Sequence, residues 1–247
     1  MKYTVVGRVH PERADIYFDR IELNGPKNAK VVLRCDSSQL VAVVEHPDID
    51  GWRSAQLLAE DAAMIIVASL GFSLGCGYSI EIIQSIDENG NSQVVSVKPD
   101  GKEQGEHLGF ENHVIEFNRA FRLAAKNIFF RLALRDYTRA LTETKDCATY
   151  CYRAVEAIRS ALAPEKTVEA WDLFHEKMHT NKEQIEQVIK AFADPVRHGN
   201  WIEAKVTDRW QRWEMLELTR NILFRYLDLA SEPNNGFNSD AGKAGAG

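Results

Sequence analysis

The chain has 247 residues, 45% hydrophobic and 27% charged, an ordinary globular composition that excludes a collagen-like or wholly disordered polymer. Four cysteines are too few for a disulfide-stapled scaffold, and a formal charge of −6 argues against a general nucleic-acid binder. The N-terminus lacks the long apolar core of a secretory signal, and the most apolar run, residues 62–72, is shorter than the about 20 residues that cross a bilayer. The expectation is a soluble, cytoplasmic protein with reduced thiols, no membrane partner and no cofactor.

In chain order, residues 2–9 are β-prone and lead into a turn at His10–Arg13. Residues 14–23 alternate in part, and Asn24-Gly25-Pro26 is a strong turn signal. Residues 29–33 and 39–44 are further strands, the second rich in valine. Apolar positions three and four apart predict a helix over 52–70, terminated by Gly71. Residues 78–83 alternate like a strand, and the Asn89-Gly90 step predicts a hairpin back through 93–97. Residues 98–108 read as a link.

From Glu111 the period becomes helical. Val114, Phe117, Phe121, Ala124, Ile128, Leu132 and Tyr137 mark one face of a single long helix. A second helix over 146–162 carries Tyr150, Cys151, Ala154, Ile158 and Ala161 and is closed by Pro164, and a third over 167–179 holds Trp171 and Phe174. Asn181 with Gln184 has capping-box spacing and opens a helix over 182–192, ended by Pro195. Thr207 or Asp208 caps the last helix, 209–229, with Trp213, Leu216, Leu218, Ile222, Leu223 and Tyr226 inside. Residues 231–247, small, polar and glycine-rich, are expected to be a disordered tail.

The fold class is therefore an α+β N-terminal domain (1–100), with a small, mostly antiparallel sheet and one main helix, followed by an all-α helical bundle (112–230). Charge divides the same way. Residues 1–112 hold 10 Lys/Arg and 17 Asp/Glu, a net of −7; residues 113–230 hold 19 and 17, a net of +2, and 12 of those 19 are arginine. An anionic ligand would meet the helical part, where guanidinium suits phosphate and carboxylate.

Arg197-His198, in the segment Asp194–Trp201, combines a proton-exchanging imidazole with a phosphate-holding guanidinium and is the candidate catalytic pair. The alternative is structural, with Arg197 paired to a helix carboxylate and His198 at a helix end. Arg153 and Glu156 are candidate supports that either reach this pair or form a structural ion pair, with Glu156 or Asp136 available to Arg153. Arg131, Arg135 and Arg139 recur every four residues, a basic stripe that either binds anions or is simply solvated. Cys147 with Cys151 and His175 with His179 are spaced by four, weak candidates for tetrahedral zinc or ordinary core residues, and no metal is assigned.

The pieces Tyr152-Arg153-Ala154-Val155-Glu156 and Arg197-His198-Gly199 in a five-helix bundle resemble HEPN-type helical domains over roughly residues 113–230, as in bacterial and phage proteins with a C-terminal arginine-histidine-glycine turn. The resemblance implies a helical domain that dimerises and, in nuclease members, a metal-independent cleavage of RNA in a defence context, with His198 as acid/base and Arg197 on phosphate. Those nucleases set the arginine four to six intervening residues before the histidine, where this chain has Ala191, Phe192 and Ala193. The expected function is accordingly an interaction or sensing module with a HEPN-like body; an endoribonuclease is the alternative. The expected partner is a second copy bound through the helical domain, with RNA or another protein as further candidates.

Overall fold

Alternating valines and other β-formers build a single antiparallel sheet in the first unit of the computed structural model, which describes residues 1–25, 28–49, 51–95, 107–163, 168–200, 202, 205 and 207–231. Its strands are β1 (Lys2–His10), β2 (Phe18–Asn24), β3 (Lys30–Asp36), β4 (Gln39–Glu45), β5 (Ser79–Asp87) and β6 (Ser92–Val94), in the order β2-β3-β4-β1-β5-β6. The period of two puts Val5, Val9, Val31, Leu33, Cys35, Leu40, Ala42 and Val44 on one buried face. Ala42 faces Val5 on one side and Leu33 on the other, so the register aligns these side chains across strands.

Helix α1 (Trp52–Leu74) packs on that face through Ala55, Ala59, Ala62, Ala63 and Val67. Its alanines let helix and sheet approach closely. The helix does not end at Gly71. It runs one turn further, to a left-handed Gly75 whose N–H reaches Gly71 and Phe72 carbonyls. Gly71 is needed for space instead: a Cβ there would stand 2.6 Å from the Cys76 carbonyl oxygen. At 23 residues α1 is long and apolar enough, by length and composition, to cross a membrane, which the short apolar run did not suggest; its inner side is spent on the sheet. The expected hairpin forms between β5 and β6, with Gly90 at positive φ in the turn.

The second unit is all helical: α2 (His113–Lys126), α3 (Ile128–Thr142), α4 (Cys147–Leu162), α5 (Val168–Met178), α6 (Lys182–Ile185), a π-helical turn (Glu186–Lys190), α7 (Ala191–Arg197) and α8 (Arg209–Ser231). Its core gathers Phe130, Val155, Ile158, Phe174, Ile189, Met215, Leu216 and Ile222. The fold class expected from sequence is the one observed.

Two further expectations need correction. The single long helix is two, because Asn127 breaks it: its side-chain oxygen accepts from the Phe130 N–H at 3.0 Å, capping α3, while its amide donates to the Tyr226 hydroxyl at 2.9 Å. Pro195 does not end the sixth helical segment. It lies inside α7, which stops two residues later, so a single ladder N–H is lost. The last helix is capped by Asp208, reciprocally with Gln211 (2.8 and 2.9 Å). The Asn181 cap forms as expected, accepting from Gln184 N–H at 2.7 Å. Residues 98–106 of the expected link, Pro164, Trp201 and the tail from residue 232 lie outside the described residues.

Candidate functional site

The arginine-histidine-glycine motif is the end of a helix. Arg197 is the last residue of α7, His198 caps it, and Gly199 adopts a left-handed φ of 70°. Gly199 N–H donates to Val196 O at 3.2 Å and Asn200 N–H to Pro195 O at 2.8 Å, the Schellman pair that satisfies two orphan carbonyls. Arg197 is held in place: Nη2 donates to Glu156 Oε2 at 3.4 Å, Nη1 to Asp194 Oδ1 at 3.3 Å, and the guanidinium carbon lies 4.6 Å from the centroid of the Tyr152 ring. Lys190 adds ion pairs to Glu186 (2.7 Å) and Asp194 (3.9 Å). Burial, then Glu156, holds the Tyr152 phenol above its usual range. Three carboxylates against two cations leave this corner without excess positive charge, so its chemistry is fastening of α7 to α4. His198 is exposed, and among the described residues its imidazole has no hydrogen-bond partner.

Of the expected supports, Glu156 joins Arg197 and Arg153 does not. Arg153 Nε instead pairs with Asp136 at 3.2 Å, and Arg135 shares the same carboxylate at 3.5 Å. Arg139 and Arg153 each lie 5.6 Å from the Tyr150 ring centroid. Arg131, Arg135 and Arg139 are all exposed, one turn apart on α3, so the stripe expected from the sequence exists and gains Arg153 from α4. Asp136, 3% exposed, is the hub of this pairing.

The zinc candidates stay apart. Among the described residues no three His, Cys, Asp or Glu side chains converge on one point. Cys147 and Cys151 are in the core of the bundle. His175 bonds Thr180 Oγ1 at 3.0 Å and packs against Trp171 and Phe174; burial lowers its basicity, partly offset by Asp172.

The feature missed in sequence is α2. Two of its charged residues, Glu116 and Arg119, point inward and its apolar stripe points outward. Arg119 bonds Glu116 at 2.8 Å, reaches Asp228 of α8 and covers the Phe224 ring at 5.7 Å. Val114, Ile115, Phe117 and Phe121 are exposed, with Phe117 at 65% and Phe121 at 63%, their rings stacked 6.0 Å apart; Ile128, at the start of α3, continues the stripe. No α2 side chain is fully buried. The signal was available: Ala120, Leu123 and Ala124 form a second, smaller stripe that packs inward.

Residues 3–96 match the N-terminal domain and residues 114–231 the C-terminal domain of DUF8168, both described as domains of unknown function. No curated protein and no solved structure matches the chain. With both of its units matched, the chain belongs to the DUF8168 family.

Proposed function

We propose that this protein is an interaction module whose helical unit self-associates through the outer face of α2. The observation that carries the reading is the inverted amphipathicity of that helix, with Phe117 and Phe121 outward and Arg119 and Glu116 inward. A contiguous exposed apolar stripe between polar flanks is what a protein-binding face requires. A second copy suits it. Exposed Glu111 precedes the stripe, and exposed Arg122 and Lys126 lie toward its far end. An antiparallel, two-fold pairing sets the acidic end of one α2 beside the basic end of the other and opposes the two helix dipoles. Sedimentation of the full chain over a hundredfold range of concentration tests this: a mass rising toward twice that of the chain supports it, and a constant monomer mass refutes it.

The endoribonuclease reading rests on a different observation, the exposed and unpartnered imidazole of His198. In it His198 moves the proton, and the arginines of α3 hold the RNA backbone, because Arg197 is engaged by Glu156 and Asp194. Incubation of mixed RNA with the wild type and with His198→Ala decides it; equal cleavage by both, or none by either, removes the reading.

A further inference from the structure

Arginines line one side of the helical unit where α3 packs on α4. Arg131, Arg135 and Arg139 follow one another turn by turn along α3, and Arg153 joins them from α4. Asp136, 3% exposed, is the carboxylate that answers them: Arg153 Nε stands 3.2 Å from Oδ2, and Arg135 approaches Oδ1 at 3.5 Å. Arg139 and Arg153 each lie 5.6 Å from the centroid of the Tyr150 ring. Among the described residues, neither Arg131 nor Arg139 has an ion pair or a hydrogen bond to its side chain. Glu143 and Asp146, the next acidic residues along the chain, pair with neither of them. One buried carboxylate therefore serves a whole row of guanidiniums, and like charges gathered in this way favour an anion among them.

The contacts that position the guanidiniums also leave their donors available. A ring engages the face of a guanidinium, whereas its N–H groups lie in its plane. Arg139 thus keeps all its donors, and Arg153 keeps its terminal nitrogens, because only Nε meets Asp136. Both anchors belong to the packed helix pair: Asp136 is buried and Tyr150 half-buried. The donors are held in place before any ligand arrives, which lowers the ordering cost of binding.

We propose that Arg131, Arg135, Arg139 and Arg153 form a binding site for a short polyphosphate chain, free or carried by a nucleoside.

Planar guanidinium forks match the paired oxygens of a phosphate group. From Arg131 to Arg139 the rise along α3 is about 12 Å. A row of that length exceeds one phosphate group and suits a chain of two or three. Charge favours a short chain over a nucleic-acid strand. The whole chain carries −6, and the excess of acid lies in residues 1–112, outside the helical unit. Screening confines the field of the arginine row to about 8–10 Å at physiological salt. A short chain lies within that field, whereas a long strand runs beyond it without further cationic support. The inference rests neither on self-association through α2 nor on proton transfer by His198.

Calorimetric titration of the full chain with sodium tripolyphosphate, without divalent metal, tests the site. Saturable binding that weakens as salt rises is the expected result. Arg139→Gln removes a guanidinium whose contact is the Tyr150 ring alone, so the fold is kept; affinity is expected to fall about tenfold. The double variant Arg131→Gln/Arg139→Gln is expected to show no measurable binding, with an unchanged circular dichroism spectrum. Arg34→Gln, an exposed arginine of the N-terminal unit, is expected to bind as the wild type does. ATP in place of tripolyphosphate separates the two sources: equal affinity assigns recognition to the phosphate chain alone, and tighter binding assigns a nucleoside-bearing ligand. Absence of saturable tripolyphosphate binding, or equal affinity of the wild type and Arg139→Gln, overturns the proposal. So does binding of single-stranded oligouridylate through Arg139 that tripolyphosphate does not compete away.

Discussion

Arg153 Nε stands 3.2 Å from a carboxylate oxygen of Asp136, which is 3% exposed. The pair joins α4 to α3, and Arg135 caps it from the other oxygen at 3.5 Å. Removing the carboxylate leaves two guanidiniums facing one another over the core edge. Since both arginines are half in water, the penalty falls at the lower end for a broken buried pair, about 2–3 kcal/mol. Asp136→Ala is therefore expected to shift the urea midpoint of helix loss, followed by circular dichroism, to lower denaturant. Arg131→Ala, on an exposed and unpaired side chain, is expected to leave it unchanged.

Gly199 terminates α7 at φ 70° with open space around its Cα. Crowding is therefore irrelevant there, and the backbone conformation alone disfavours a side chain. Gly199→Ala is expected to cost about 1–2 kcal/mol and to lower the melting temperature by a few degrees. Gly199→Asn, which tolerates left-handed backbone, is expected to recover part of that loss. Differential scanning calorimetry of the three proteins measures it.

Arg197 and His198 are neighbours with opposite structural roles. Arg197 bonds Glu156 and Asp194 and covers the Tyr152 ring, whereas among the described residues the His198 side chain has no hydrogen-bond partner. Arg197→Ala is expected to destabilise by about 1 kcal/mol, and His198→Ala by nothing measurable in the same unfolding titration. An effect of His198→Ala on RNA cleavage, without an effect on stability, would isolate a chemical role for the imidazole.

His175 introduces a pH dependence. Its folded-state basicity is lowered by burial against Trp171 and Phe174, with Asp172 partly opposing. The unfolded chain, with a histidine pKa near 6.5, binds the proton more readily than the folded one. The stabilising contribution is thus complete above about pH 6.5 and declines as pH falls through the lower folded value. Urea midpoints between pH 7.5 and 5 are expected to decrease more in the wild type than in His175→Gln, which does not titrate.

Much of this architecture was legible in the residues. Period-two valines located β1, β3 and β4, the Asn89-Gly90 step located the β5–β6 hairpin, and the Asn181 cap located α6. The failures share a cause: they depend on which side of an element faces its neighbours. The apolar residues of α2 and α3 line up as one helical face only if the helix is continuous. Asn127 resets the phase, leaving Phe117 and Phe121 outside while Phe130 enters the core. Gly71 and Pro195 look like terminators, but the contacts on either side of them carry the helices onward. At the candidate site, the pairing of Arg197 with Glu156 was one alternative that spacing allowed. The sharing of Asp136 by Arg135 and Arg153 needed two helices in register, which no local pattern encodes.

Self-association through α2 is tested most directly by sedimentation equilibrium of the wild type beside Phe117→Ser/Phe121→Ser. Both phenylalanines are exposed in the single chain, so the double variant is expected to keep the wild-type circular dichroism spectrum and melting profile. The wild type is expected at twice the chain mass and the variant at the monomer mass at the same concentration. Equal masses for the two proteins, whether both dimeric or both monomeric, would contradict it.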